Sequence, residues 1–190
     1  MSDHTQGPFD LDELDGFDPN AAGLINLGSM ILTATEETEV RLQLDEVTNQ
    51  ILAVVVVGHE AAVEVRPFAA ARNGERWVHL LPQIAEAASQ AGGRAEQSEG
   101  PVGTELICEV PAIDPDGVSG NLITRVVGID GPRWLLRVTF MGRPATDDAA
   151  ARDWEAYIRT IVVSRGAGAM APGAELPLTL PPDSQPMLSG

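Results

Sequence analysis

The chemistry in this sequence gathers on two glutamates and three arginines that alternation places on neighbouring strands. Glu105 and Glu109 share one face of a segment whose other face carries Thr104, Leu106, Cys108 and Val110. Arg125 falls on the same face of the next segment. Arg133 and Arg137 follow on the one after, opposite the apolar stripe Trp134, Leu136, Val138 and Phe140. A carboxylate beside a guanidinium can serve as a general base while the arginine holds an anionic group. The same five residues also read as cross-strand ion pairs, each adding up to ~1 kcal/mol.

Other reactive side chains lack partners at useful spacing. Cys108, the one cysteine, sits among apolar residues with no basic neighbour, the setting of an inert core thiol. His4, His59 and His79 have no second ligand at zinc spacing, so no metal site is predicted. No glycine run forms a phosphate-binding loop before a helix, and no cofactor is predicted. Asp114-Pro115-Asp116-Gly117 reads as a turn, since it does not follow the calcium-loop pattern.

The elements that must position these residues follow from periodicity. Strands are predicted over residues 24–32, 40–44, 51–57 and 62–68, joined by turns too short for parallel crossovers. Trp77, Leu80, Leu81, Ile84 and Ala88 fall at helical spacing, with a kink expected at Pro82 and a stop at Gly92-Gly93. Strands resume over 104–110, then 121–129 and 133–140 as a hairpin about Asp130-Gly131-Pro132. A second helix starts at Thr146-Asp147-Asp148, and its stripe reads Ala150, Trp154, Ile158 and Ile161. The fold class is α+β: a mostly antiparallel sheet with two helices packed on one face, an order compatible with a Mog1/PsbP-like sandwich.

Charge and composition set the flanks and exclude several functions. The chain has 190 residues, 28 acidic against 12 basic, for a formal charge of −16. Such a surface opposes phosphate-backbone binding and attachment to an anionic membrane, so neither nucleic acid nor membrane insertion is expected. All the basic residues are arginine, which removes Schiff-base and P-loop lysines and fits a GC-rich coding bias. Nothing at the N-terminus resembles a signal peptide, so a cytoplasmic protein is expected. Residues 1–23 form an acidic arm, predicted to be disordered alone, whose Phe9, Leu11, Leu14 and Phe17 are candidate anchors for a partner. A single domain is expected over 24–165. Residues 166–190 form a tail with five prolines, in which Leu176, Leu178 and Leu180 alternate as in an extended segment lying on the domain.

Several runs occur together in one order: Gly7-Pro8-Phe9-Asp10, Ile25-Asn26-Leu27-Gly28-Ser29, Phe68-Ala69-Ala70, Gly100-Pro101-Val102-Gly103-Thr104-Glu105-Leu106, Gly128-Ile129-Asp130-Gly131-Pro132-Arg133-Trp134 and Val162-Val163-Ser164-Arg165-Gly166. On these the sequence resembles an actinobacterial domain-of-unknown-function family, number three-seven-one-zero, over nearly its whole length. The resemblance implies a cytoplasmic actinobacterial protein and brings no catalytic residue or ligand.

The function expected from the residues is a non-enzymatic binding or adaptor module with a protein partner. Its candidate contacts are Glu105, Glu109, Arg125, Arg133 and Arg137, beside the arm anchors. The alternative is an enzyme acting on an anionic small molecule through a Glu/Arg pair. A pocket enclosing one of these carboxylates, with its pKa raised, would favour the enzyme. A flat, fully paired face would favour the module.

Overall fold

The structure, a computed structural model, describes residues 7–72, 76–100 and 102–181. It is α+β, with a seven-stranded antiparallel sheet, a small four-stranded sheet and two longer helices. The large sheet comprises β4 (Glu39–Leu44), β5 (Ile51–Gly58), β6 (Ala61–Ala69), β7 (Arg94–Gly100), β8 (Gly103–Ile113), β9 (Ser119–Asp130) and β10 (Trp134–Gly142), ordered β4-β5-β6-β10-β9-β8-β7. The small sheet is ordered β1-β11-β3-β2, from β1 (Phe9–Asp10), β2 (Leu24–Asn26), β3 (Met30–Thr33) and β11 (Val162–Val163). The helices are α1 (Arg76–Gln90), the short α2 (Arg143–Thr146) and α3 (Asp148–Ile158).

Two apolar layers hold these parts together. Val54, Val56, Val63, Val65, Trp134, Leu136, Val138 and Phe140 line one face of the large sheet and meet Leu27, Met30 and Leu32 of the β2–β3 region, with Ile158 and Ile161. Trp77, Leu81 and Ala88 of α1 cover Leu106, Cys108, Val126 and Leu135 on the other face. The two longer helices therefore lie on opposite faces, where one shared face was expected. The cause is parity: Val126 and Leu135 point away from the Trp134 stripe and need a cover of their own.

Local chemistry explains three further departures. The predicted strand over 24–32 is a hairpin, because Asn26 accepts the Gly28 N–H at 2.9 Å and turns the chain. β7 was absent from the prediction; its sequence, RAEQSEG, is that of a polar edge strand with no apolar stripe to read. On α3 the buried residues are Ala151, Glu155 and Ile158, while Trp154 is half-buried on the flank. Pro82 lies inside α1, which runs on through it.

Both terminal segments pack against the sheets. Phe9 and Asp10 pair in parallel with Val162 and Val163. Phe9, Leu14 and Phe17, with Ile31 and Val162, line an apolar pocket of 490 Å³ on the small sheet. Residues 173–179 lie on the domain as an extended segment. Leu176 donates its N–H to the Pro67 carbonyl (2.9 Å) and is buried, and Thr179 donates to Leu27 (2.9 Å).

The run 128–134 organises much of this. A Cβ at Gly128 would overlap the Trp77 ring, and one at Gly131 the Trp134 ring. Asp130 accepts the backbone N–H groups of Arg76 (3.1 Å) and Trp77 (3.3 Å), satisfying donors at the start of α1. Trp134 is fully buried, and its indole donates to Asp10 Oδ2 at 2.9 Å. Asp10→Ala removes that buried hydrogen bond and should cost about 1–3 kcal/mol. Urea unfolding of the variant beside the wild type checks this, and unchanged stability would refute the tie between arm and core.

Candidate functional site

β-sheet parity divides the five candidate residues. Glu105 pairs with Val127, and Ile107 with Arg125, which in turn pairs with Phe140. Glu105, Glu109 and Arg125 thus lie on the same face as the Trp134 stripe, while Arg137 lies on the α1 face. Arg137 is in ion-pair range of Glu64 at 3.6 Å and lies over the Phe68 ring, 5.4 Å from its centroid. Arg133, just before β10, reaches Asp12 of the arm at 3.5 Å. Glu109 is tied by Arg94 at 2.6 Å and by Asn121 at 2.7 Å, and both hold its carboxyl below the usual range. Only Glu105 and Arg125 come together away from solvent.

Their burial is the work of α3. Asp147 caps that helix, accepting the N–H groups of Ala149 (2.8 Å) and Ala150 (3.3 Å). Asp148 then meets Arg125, Nη2 to Oδ1 at 2.6 Å. Arg125 Nε stands 3.9 Å from Glu105 Oε1, in ion-pair range but beyond a hydrogen bond. The side chains of Glu105 and Arg125 are only 4% and 7% exposed, yet Glu105 Oε2 and Arg125 Nε lack hydrogen-bond partners. Glu155, one helical turn beyond Arg152 on α3, is also buried, with Oε1 unpartnered.

Burial raises the carboxyl pKa of both glutamates, because desolvation penalises the charged form. For Glu105 the Arg125 charge opposes this shift, and Asp148 and Glu99 add to it. For Glu155 the Glu105 charge adds to it, while Arg125, Arg159 and Arg152 oppose it. A cavity of 370 Å³ opens onto the pair, lined by Ser98, Glu99, Gly100, Glu105, Ile107, Arg125, Asp148 and Arg152. Such a site can accept and donate hydrogen bonds, pair with a charge, and hold a proton to higher pH than a free carboxyl does.

Sequence reasoning missed Glu99, Asp148, Arg152 and Glu155. The last three fall at i, i+4 and i+7, one face of a helix, and that spacing was the available signal. Elsewhere Cys108 is buried, and desolvation raises its thiol pKa, as an inert core thiol requires. His59 and His79 are exposed, and His4 lies outside the described residues. Among the described residues no group of three or more His, Cys, Asp or Glu side chains is arranged to hold a metal ion.

A family model described as "Protein of unknown function (DUF3710)" matches residues 7–186, and the chain is a member of that family. No curated protein matches it. Among the described residues no helix is long and apolar enough to cross a membrane.

A buried carboxyl with a raised pKa makes stability fall as pH rises. The folded chain holds the proton above the pH at which the unfolded chain loses it, so the stabilisation is full below the unfolded value, near 4.5, and is lost as pH passes the folded value. Glu105→Gln, which never ionises, should flatten that decline. Melting temperatures of both proteins from pH 4 to 8 test this; parallel curves would contradict it.

Proposed function

We propose that this chain is a binding module whose ligand is a small polar molecule held in the Glu105–Arg125 cavity. The observation that carries the reading is a pair of deeply buried, oppositely charged side chains, each with an unpartnered polar atom, among the residues that line a 370 Å³ opening. Buried polar atoms are normally satisfied, and leaving one unpaired costs about 1–3 kcal/mol. A ligand that bonds to Glu105 Oε2 and Arg125 Nε recovers that loss, which is the usual design of a small-molecule site. The arm is a weaker basis for binding, because Phe9, Leu14 and Phe17 already rest on the small sheet.

One observation favours an enzyme instead. Glu105 is enclosed in a pocket and has a raised pKa, the state of a general acid or base. The two readings separate on turnover: a module returns its ligand unchanged.

A thermal-shift screen of the full chain against small polar metabolites tests both. A ligand at 100 times its Kd adds about 2.7 kcal/mol of stability, and Ile107→Trp, which fills the cavity, should abolish the shift. A shift that survives Ile107→Trp, or a screen with no stabilising compound, would overturn the proposal. Loss of the bound compound over time, followed by NMR and stopped by Glu105→Gln, would establish the enzyme.

A further inference from the structure

We infer that the ligand of this cavity carries an organic cation, an ammonium or guanidinium group, that ion-pairs with Glu105; the inference rests on the binding site proposed above.

The distribution of charge supports it. Three carboxylates line the cavity, Glu99, Glu105 and Asp148, against two guanidiniums, Arg125 and Arg152. Arg125 is partly engaged: its Nη2 holds Asp148, while its Nε, 3.9 Å from Glu105, has no hydrogen-bond partner. Arg152 is exposed. The deepest group with unused capacity is therefore Glu105 Oε2, an acceptor. It is 4% exposed and sits against Gly100, where a Cβ would collide with it, so small backbone leaves room for the carboxyl head itself.

Like-charge repulsion points the same way. Asp148 and Glu99 both make ionised Glu105 less favourable, and a bound cation offsets both. A chain of charge −16 also concentrates cations near its surface and repels anions. Among the described residues no three His, Cys, Asp or Glu side chains are grouped as metal ligands, and a single buried carboxylate suits an ammonium or guanidinium donor. An anionic ligand, expected when the site was read as an arginine face, meets the wrong sign of charge.

Binding should also release protons. Glu105 is faced by Glu99 from β7, Arg125 from β9, and Asp148, Arg152 and Glu155 from α3. Pairing with a cation selects its ionised form, so a proton leaves Glu105 and affinity rises with pH until that carboxyl is fully ionised.

The test is an NMR titration of the full-length chain with four probes of one size: n-butylammonium, n-butylguanidinium, n-butanol and butanoate. The cations should shift the amides of residues 98–100, 105–107, 125 and 148 at least about tenfold more tightly than butanol does, as for a charge-assisted bond. Their affinity should rise with pH from the ordinary carboxylate range upward until Glu105 is ionised, and butanoate should not bind. Glu105→Gln should reduce the cations to the level of butanol, while Asp116→Asn, in the exposed turn after β8, changes nothing. Butanol binding as tightly as the cations, or butanoate more tightly, would overturn the cation inference and leave the site standing. Absence of shifts with all four probes, together with a metabolite screen that finds nothing, would end both. Because the probe series is read on the wild-type chain, the outcome does not depend on the variant folding.

Discussion

Everything around the two-sheet core is organised by one buried indole. Trp134 begins β10, has no exposed surface, and donates its N–H to a carboxylate that belongs to the N-terminal arm. A tryptophan fully enclosed needs both a partner for its N–H and a gap for its ring. Asp10 supplies the first, and Gly131 leaves the second. Satisfying that one donor brings β1 beside β11, which in turn fixes β3 and β2 over the large sheet. Three residues earlier, Gly128 makes the matching gap for Trp77 on the opposite face, and Asp130 holds the first turn of α1. One short run thus registers a helix, an arm and both apolar layers.

The candidate site arises from a conflict within that scheme. Arg125 and Glu105 occupy positions on the core-facing side of β9 and β8, where the neighbours Val127 and Phe140 are buried apolar residues. Ionic groups in such positions pay a desolvation penalty that pairing alone seldom covers. Here the pairing is incomplete: one contact is short, to Asp148, and the other is long, to Glu105. The fold tolerates the arrangement because α3 shields it without filling it. A packing economy aimed at stability alone would have placed apolar side chains there.

Much of the architecture was legible from alternation. β4, β5, β6, β8, β9 and β10 carry apolar stripes, and α1 and α3 carry capping or stop residues, so their existence and type followed directly. The illegible parts share a physical cause. β7 is an edge strand in which polarity protects the ladder and erases the stripe. The two faces of the sheet look alike in a chain that buries both, so alternation alone put Arg137 with Arg125. Only the pairing of Ile107 with Arg125 and of Arg125 with Phe140 separates them. On α3 the large ring of Trp154 attracted the reading of the stripe, and it masked Glu155 as a buried position. Of the five candidate contacts, burial selects Glu105 and Arg125; the others are paired nearer the surface, as ordinary cross-strand or arm contacts.

β11 and residues 173–176 complete sheets whose other strands come earlier in the chain. Val162 and Val163 sit between β1 and β3, and residues 173–176 bond along the end of β6 at Pro67 and Ala69. On the ribosome, the large sheet from β4 to β10 has its strands in hand before β11 exists. The small sheet lacks one of its two inner strands until then, and Leu27, Met30 and Leu32 share their apolar cluster with Val163 of β11. Closure over such sequence distances is entropically slow. The small sheet therefore depends on one pairing, β3 with β11, that spans every strand of the large sheet in sequence.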